Sequence, residues 1–146
     1  MMVPVPAPLS RNPGRRKIPD KEEPRMDAVH ATVGTIVILA FAINVIVYLV
    51  QLISRPIPAA RYVSYAAAAA ISVQVLLGIT LLIQGHVNLT IHYVVGLLTL
   101  IPVGIEHSMA KRGRTPRARI GASALAATGT LVLAVLAYLI GQGTIG

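Results

Sequence analysis

The sequence predicts an all-α integral membrane protein, a four-helix bundle preceded by an extended proline-rich tail, and three observations carry that expectation. Hydrophobic residues make up 55 % of the 146-residue chain and charged residues only 12 %, against roughly a quarter charged in a soluble domain. The charges are gathered in the first 27 residues, between 55 and 61, and between 106 and 119. The apolar stretches between these islands are about as long as the ~20 residues a helix needs to cross ~30 Å of hydrocarbon.

Composition also bounds the chemistry. There are no cysteines, which excludes disulfides, iron–sulfur clusters, thiolate zinc and covalent c-type haem attachment. The net charge of +8 points to lipid headgroups and membrane orientation rather than to nucleic acid, because arginine and lysine beside apolar spans commonly serve those ends.

Taken in order, residues 1–25 are rich in proline and basic side chains and have no apolar periodicity. Prolines interrupt the apolar residues of Met1–Pro8, and no basic segment precedes them, so they do not read as a signal-peptide core. The segment reads as an extended tail able to pack on a partner subunit. The remaining residues, 26–146, divide into four spans. The first is expected at 28–53. The second, 60–84, follows the break Arg55-Pro56-Ile57-Pro58 and contains the alanine tract 66–70, which favours a helix and lets a neighbour approach closely. After the uncharged turn at 84–88, the third span covers 89–110, with a kink expected at Pro102. A fourth, 120–141, follows the basic loop 111–119.

Four spans place both termini on one side of the membrane. The first and third connections lie on the other side and hold seven arginines and lysines, whereas the second connection and the carboxyl tail hold none. The positive-inside rule then makes the 111–119 loop cytoplasmic and the termini exoplasmic, in a multi-pass inner-membrane protein. The six basic residues of the amino-terminal tail pull the other way, but four acidic residues are mixed with them.

Within this topology, two spans open on the same phrase: His30-Ala31-Thr32-Val33-Gly34 and His92-Tyr93-Val94-Val95-Gly96. A helix turns about 100° per residue, so each glycine lies one turn below its histidine on nearly the same stripe. Both histidines fall at the exoplasmic end. Paired imidazoles on facing helices suit the axial positions of a haem iron, and Gly34 and Gly96 offer bare backbone below them for a flat macrocycle. His86, in the turn, reads as a loop residue facing water. His107 is ~22 Å further along its helix than His92 and has no partner histidine at that level, so one haem is the limit. Glu106 and His107 read as a polar cap with the loop arginines. Asn44, Gln51 and Gln74 read as helix–helix hydrogen-bonding residues. No hydrolase or phosphate-binding motif is present, and no catalytic residue is assigned.

The ordered phrases resemble half a molecule of the haem A synthase family. That family opens a helix with a Glu-x-x-His-Arg-x-x-Gly-like phrase, carries Gln-x-x-Leu-Gly on the next, and starts a third with histidine above small residues. Here the three places read Asp27-Ala28-Val29-His30-Ala31-Thr32-Val33-Gly34, Gln74-Val75-Leu76-Leu77-Gly78 and His92-Tyr93-Val94-Val95-Gly96, covering about residues 26–105. The resemblance implies a haem-binding half-bundle with His30 and His92 as axial ligands near the exoplasmic surface. Asp27 stands where the family has glutamate, Ala31 where it has arginine, and the proline-rich tail where it has a hydrophobic helix.

The expected function is therefore that of a membrane b-type cytochrome-like subunit. It would hold one haem b between His30 and His92, with Gly34 and Gly96 beneath and Arg25 near a propionate, and transfer electrons among other membrane subunits of a larger respiratory or photosynthetic complex. The alternatives are a reduced, homodimeric haem A synthase-like enzyme oxidising a haem methyl group, and a structural subunit that is cofactor-free or binds a chlorophyll-type pigment.

Overall fold

The structure is a computed structural model that describes residues 26–54, 57–85, 90–112 and 115–143, the side chains of Asp27 and residues 110–112 excepted. The amino-terminal tail, with Arg25, and His86 lie outside these residues. Five helices make four spans: α1 (Met26–Ile53), α2 (Ala60–Ile83), α3 (Thr90–Leu98), α4 (Leu100–Arg112) and α5 (Pro116–Gly141). Segments Ala28–Ile53, Ala60–Ile83, Thr90–Met109 and Pro116–Gly141 are each long and apolar enough to cross a bilayer. The chain is a multi-pass, all-helical membrane protein.

The element boundaries have local causes. The third span is not one kinked helix but two, divided at Thr99. Pro102 has no N–H to offer and its ring crowds the carbonyl four residues back, that of Leu98. At the break the Thr99 N–H donates to Gly96 O at 3.3 Å, a tighter i−3 bond, and the Thr99 hydroxyl donates to the same carbonyl. Helix α5 begins at Pro116, four residues before the expected start at 120. Thr115 is extended and its hydroxyl accepts from the Ala118 N–H at 3.2 Å, with proline at the first position, a favourable helix start that hydropathy does not register. Of the expected 111–119 loop, Lys111 and Arg112 therefore belong to α4, and Arg117 and Arg119 to α5. Helix α2 ends at Ile83, and just past its cap Gly85 turns the chain with a φ of +83°, one that a residue with a Cβ rarely adopts.

All four spans bury one stripe at alternating spacings of four and three residues. In α1 it is His30, Gly34, Val37, Phe41, Asn44, Tyr48 and Gln51; in α2, Ala60, Ser64, Ala67, Ile71, Gln74, Gly78 and Leu81. Across α3 and α4 it is His92, Gly96, Thr99, Val103 and Glu106; in α5, Ser123, Ala127, Thr130, Ala134 and Ala137, with Gly141 continuing the spacing at the exposed end of the helix. A repeat of 3.5 residues is the seam of left-handed helix packing. Small and polar residues predominate in the seams, with Val37, Phe41, Ile71 and Leu81 the large buried exceptions, and most large aliphatic side chains point outward, Leu125 being 76 % exposed and Leu39 58 %. Lipid gives large apolar groups no reason to hide, so small residues that permit close backbone approach occupy the interior. Midway along the bundle Val37, Phe41, Ala67, Ile71 and Ala134 form the apolar core.

Helix α1 packs on α2 and α5, and α5 packs on α3 and α4, whereas α2 barely meets α3. The space left between α2 and α3 positions the site.

Candidate functional site

A cavity of about 590 Å³ fills that space, within the ~300–1,000 Å³ usual for small-molecule sites. Its wall is mostly apolar and includes His30 and Gly34 from α1, Gln74 and Gly78 from α2, His92 and Gly96 from α3, and Tyr138 and Gly141 from α5. The two histidines singled out in the sequence meet there. Their ring centres are 5.9 Å apart and their planes cross at 77°.

His92 is fixed by main chain. Its Nδ1 lies 2.7 Å from the Ala137 carbonyl oxygen; a carbonyl can only accept, so Nδ1 carries the hydrogen and Nε2 keeps its lone pair. The ring rests on Gly141, where a Cβ would come within 2.8 Å of His92 Cε1 and 2.9 Å of Nδ1. His30 is fixed by a side chain. The Gln74 amide donates to His30 Nε2 at 3.2 Å, and a Cβ on Gly78 would lie 3.3 Å from His30 Cε1. His30 Nδ1 and Gln74 Oε1 are both buried without a hydrogen-bond partner.

The two glycines of the repeated phrase differ in their surroundings. Gly34 is buried beneath the Gln74 amide, where a Cβ would come within 3.1 Å of Gln74 Nε2 and 3.5 Å of the Tyr138 ring. Gly96 lines the cavity with nothing within 4 Å of where its Cβ would be. Only Gly96 is the bare shelf that the sequence suggested for both.

This arrangement limits the chemistry. Among the described residues no group of three histidine, cysteine or carboxylate side chains gathers to hold a metal. Two imidazoles do not complete a metal site alone, but they complete one for a metal that arrives with four in-plane donors. The 5.9 Å between ring centres is of the size that two metal–nitrogen bonds of about 2 Å, together with the rings' own half-widths, would span. Two imidazoles in a mostly apolar wall beside an unobstructed glycine are of a kind that would suit a metallated macrocycle.

The opposite end of the seams holds a second polar cluster. Glu106 is 1 % exposed, and its Oε1 accepts from Asn44 Nδ2 at 3.0 Å, from the Tyr48 hydroxyl at 2.8 Å and from the Ser64 hydroxyl. Ser123 donates to its main-chain carbonyl at 3.4 Å. Glu106 is thus no cap for the loop arginines: its place in the α4 seam turns it inward, where the three other spans contribute polar groups to it. His107, one residue on, faces away; its Nδ1 donates to Val103 O at 3.0 Å and its ring stacks on Tyr65 at 5.5 Å.

Sequence reasoning missed Gly78 and Gly141 as the backing of the two rings, and missed the Glu106 cluster. The signal that finds them is the repeat of small and polar residues at 3.5-residue spacing, because these positions all lie on the seams. Asn44 and Gln74 form the expected helix–helix hydrogen bonds, whereas Gln51 instead accepts from the Ile57 N–H in the first connection at 3.4 Å.

No protein-family model matches this chain, and neither a curated protein nor a solved structure does.

Proposed function

We propose that this protein is a membrane cytochrome-like subunit that holds one b-type haem between His30 and His92 and transfers electrons within a larger membrane assembly. The observation that carries the reading is the meeting of two imidazoles from separate spans, 5.9 Å apart, in the wall of a mostly apolar cavity. When bound, a haem supplies reversible one-electron chemistry at its iron. The chain supplies the rest. His92 presents Nε2 because Ala137 holds its other nitrogen, and an N–H···O=C bond of this kind fixes both tautomer and ring orientation. Gly96 leaves room beside the rings, and the mostly apolar wall would favour electron transfer over reaction of a bound iron with solvent. The charge distribution of the connections supports an orientation with the histidine pair at the exoplasmic face and residues 111–119 cytoplasmic.

The test is an absorption spectrum of the full-length protein purified in mild detergent, oxidised and then reduced with dithionite. The expected result is one low-spin b-type haem per chain. A protein that purifies folded without haem, and binds none when haem is added, overturns the reading.

A further inference from the structure

The two rings at the cavity are held by unlike partners. His92 is bonded to a main-chain carbonyl, Ala137 O, which can only accept and cannot turn. His30 is bonded to a side-chain amide, that of Gln74, which carries an acceptor at one end and a donor at the other. With the amide donating to His30 Nε2, the ring hydrogen sits on Nδ1, and both Nδ1 and Gln74 Oε1 are buried with no partner. Buried polar atoms are nearly always satisfied, so two orphans on one hydrogen-bonded pair mark an arrangement awaiting something else. A half-turn of the amide exchanges its oxygen and nitrogen in place. Gly34 forms its seat, since a Cβ there would press within 3.1 Å of the amide nitrogen.

We infer that Gln74 is the positioning residue for His30 as an axial ligand, its Oε1 accepting the ring N–H that remains when the other ring nitrogen binds the iron. The inference rests on the bis-histidine reading above. Gln74 stands at Nε2, so the nitrogen left for the metal is the unpartnered Nδ1; Nε2 then keeps the ring hydrogen and needs an acceptor, which the Gln74 oxygen supplies after the half-turn. Both imidazoles would then donate to a carbonyl oxygen, Ala137 behind His92 and Gln74 behind His30. Such a bond raises the basicity of the ligating nitrogen. A more basic ligand favours ferric over ferrous iron, so Gln74 lowers the reduction potential. Because it is a side chain on a separate helix, its contribution can be altered without touching either histidine.

The test is an equilibrium redox titration of the full-length, haem-loaded protein in detergent, comparing wild type with Gln74→Leu and Gln74→Glu. Leucine removes the acceptor, and the midpoint potential is expected to rise above wild type. Glutamate keeps the shape and strengthens the acceptor, and the potential is expected to fall below it. Opposite shifts are the signature, since a merely structural disturbance has no reason to change sign between the two. Equal potentials in all three proteins, or shifts of the same sign, overturn the inference while leaving the bis-histidine reading intact. If Gln74→Leu fails to hold haem, the near-isosteric Gln74→Glu decides alone, and a potential at or above wild type overturns the inference. A wild-type protein without haem overturns the underlying reading itself.

Discussion

Gly141 on α5 is the wall against which His92 on α3 is set: a Cβ at 141 would come within 2.8 Å of the His92 ring, closer than carbon atoms pack. Gly141 and Ala137, whose carbonyl orients the ring, lie one helical turn apart on α5. Changing Gly141 to alanine therefore pushes the ring off its carbonyl. The expected outcome is a marked fall in haem content, with a stability loss of about 1–3 kcal/mol for the overpacking. Haem stoichiometry and thermal unfolding in detergent check it. Gly78→Ala, where the contact with His30 is 3.3 Å, should be milder in both measurements.

Gly34 and Gly96 should separate in the same assays. Gly34→Leu drives a side chain into Gln74 and Tyr138 and should lower both stability and haem content. Gly96→Leu meets open space, so it should leave the bundle folded while its bulk occupies the cavity. Full haem occupancy in Gly96→Leu would show that the cavity beside that glycine is not where the macrocycle lies.

Glu106 ties together α1, α2 and α4 through its side chain. Glu106→Ala leaves the Asn44, Tyr48 and Ser64 donors without their acceptor, at about 1–3 kcal/mol for each donor left unsatisfied. Glu106→Gln keeps a carbonyl oxygen and should cost less. A lower thermal midpoint in the order wild type, Gln, Ala is expected. The spectrum at the other end should be unchanged, because Asn44 lies 14 residues (44 − 30) beyond His30 on α1, roughly 21 Å along the axis. Equal unfolding temperatures would show that the cluster contributes nothing to holding the spans together.

Membrane orientation has its own readout in a chain without cysteine. Single cysteines are introduced as Gly113→Cys and Thr144→Cys, and intact cells are treated with a membrane-impermeant thiol reagent. Labelling at 144 alone is expected. Labelling at 113 alone inverts the topology and moves the histidine pair to the cytoplasmic face.

The spans and the histidine pair were legible in the sequence because both depend on short-range pattern. Apolar run length gives the spans to within a few residues, and His-x-x-x-Gly places a ring above a glycine on one stripe. The partners of those residues were not legible, because they come from other helices. Nothing near His92 in sequence announces Gly141, and nothing near His30 announces Gln74. Glu106 was misread because it sits beside His107 and the basic loop, and a charged residue at a span end ordinarily turns to water. Its helical phase decides otherwise: Thr99, Val103 and Glu106 follow one another at four and three residues, so the carboxylate shares the buried stripe while His107 does not. The break at Thr99 rather than at Pro102 has a similar local cause, since proline disturbs the turn before it. The early start of α5 was written in Thr115-Pro116, a capping signal that a hydropathy reading passes over.

Axial ligation is tested most directly by spectra of the full-length protein carrying His30→Ala, His92→Ala or His107→Ala, each recorded oxidised and dithionite-reduced beside wild type. Loss of the low-spin spectrum in both His30→Ala and His92→Ala, with His107→Ala indistinguishable from wild type, is the expected result. A normal low-spin spectrum in both His30→Ala and His92→Ala would contradict the assignment.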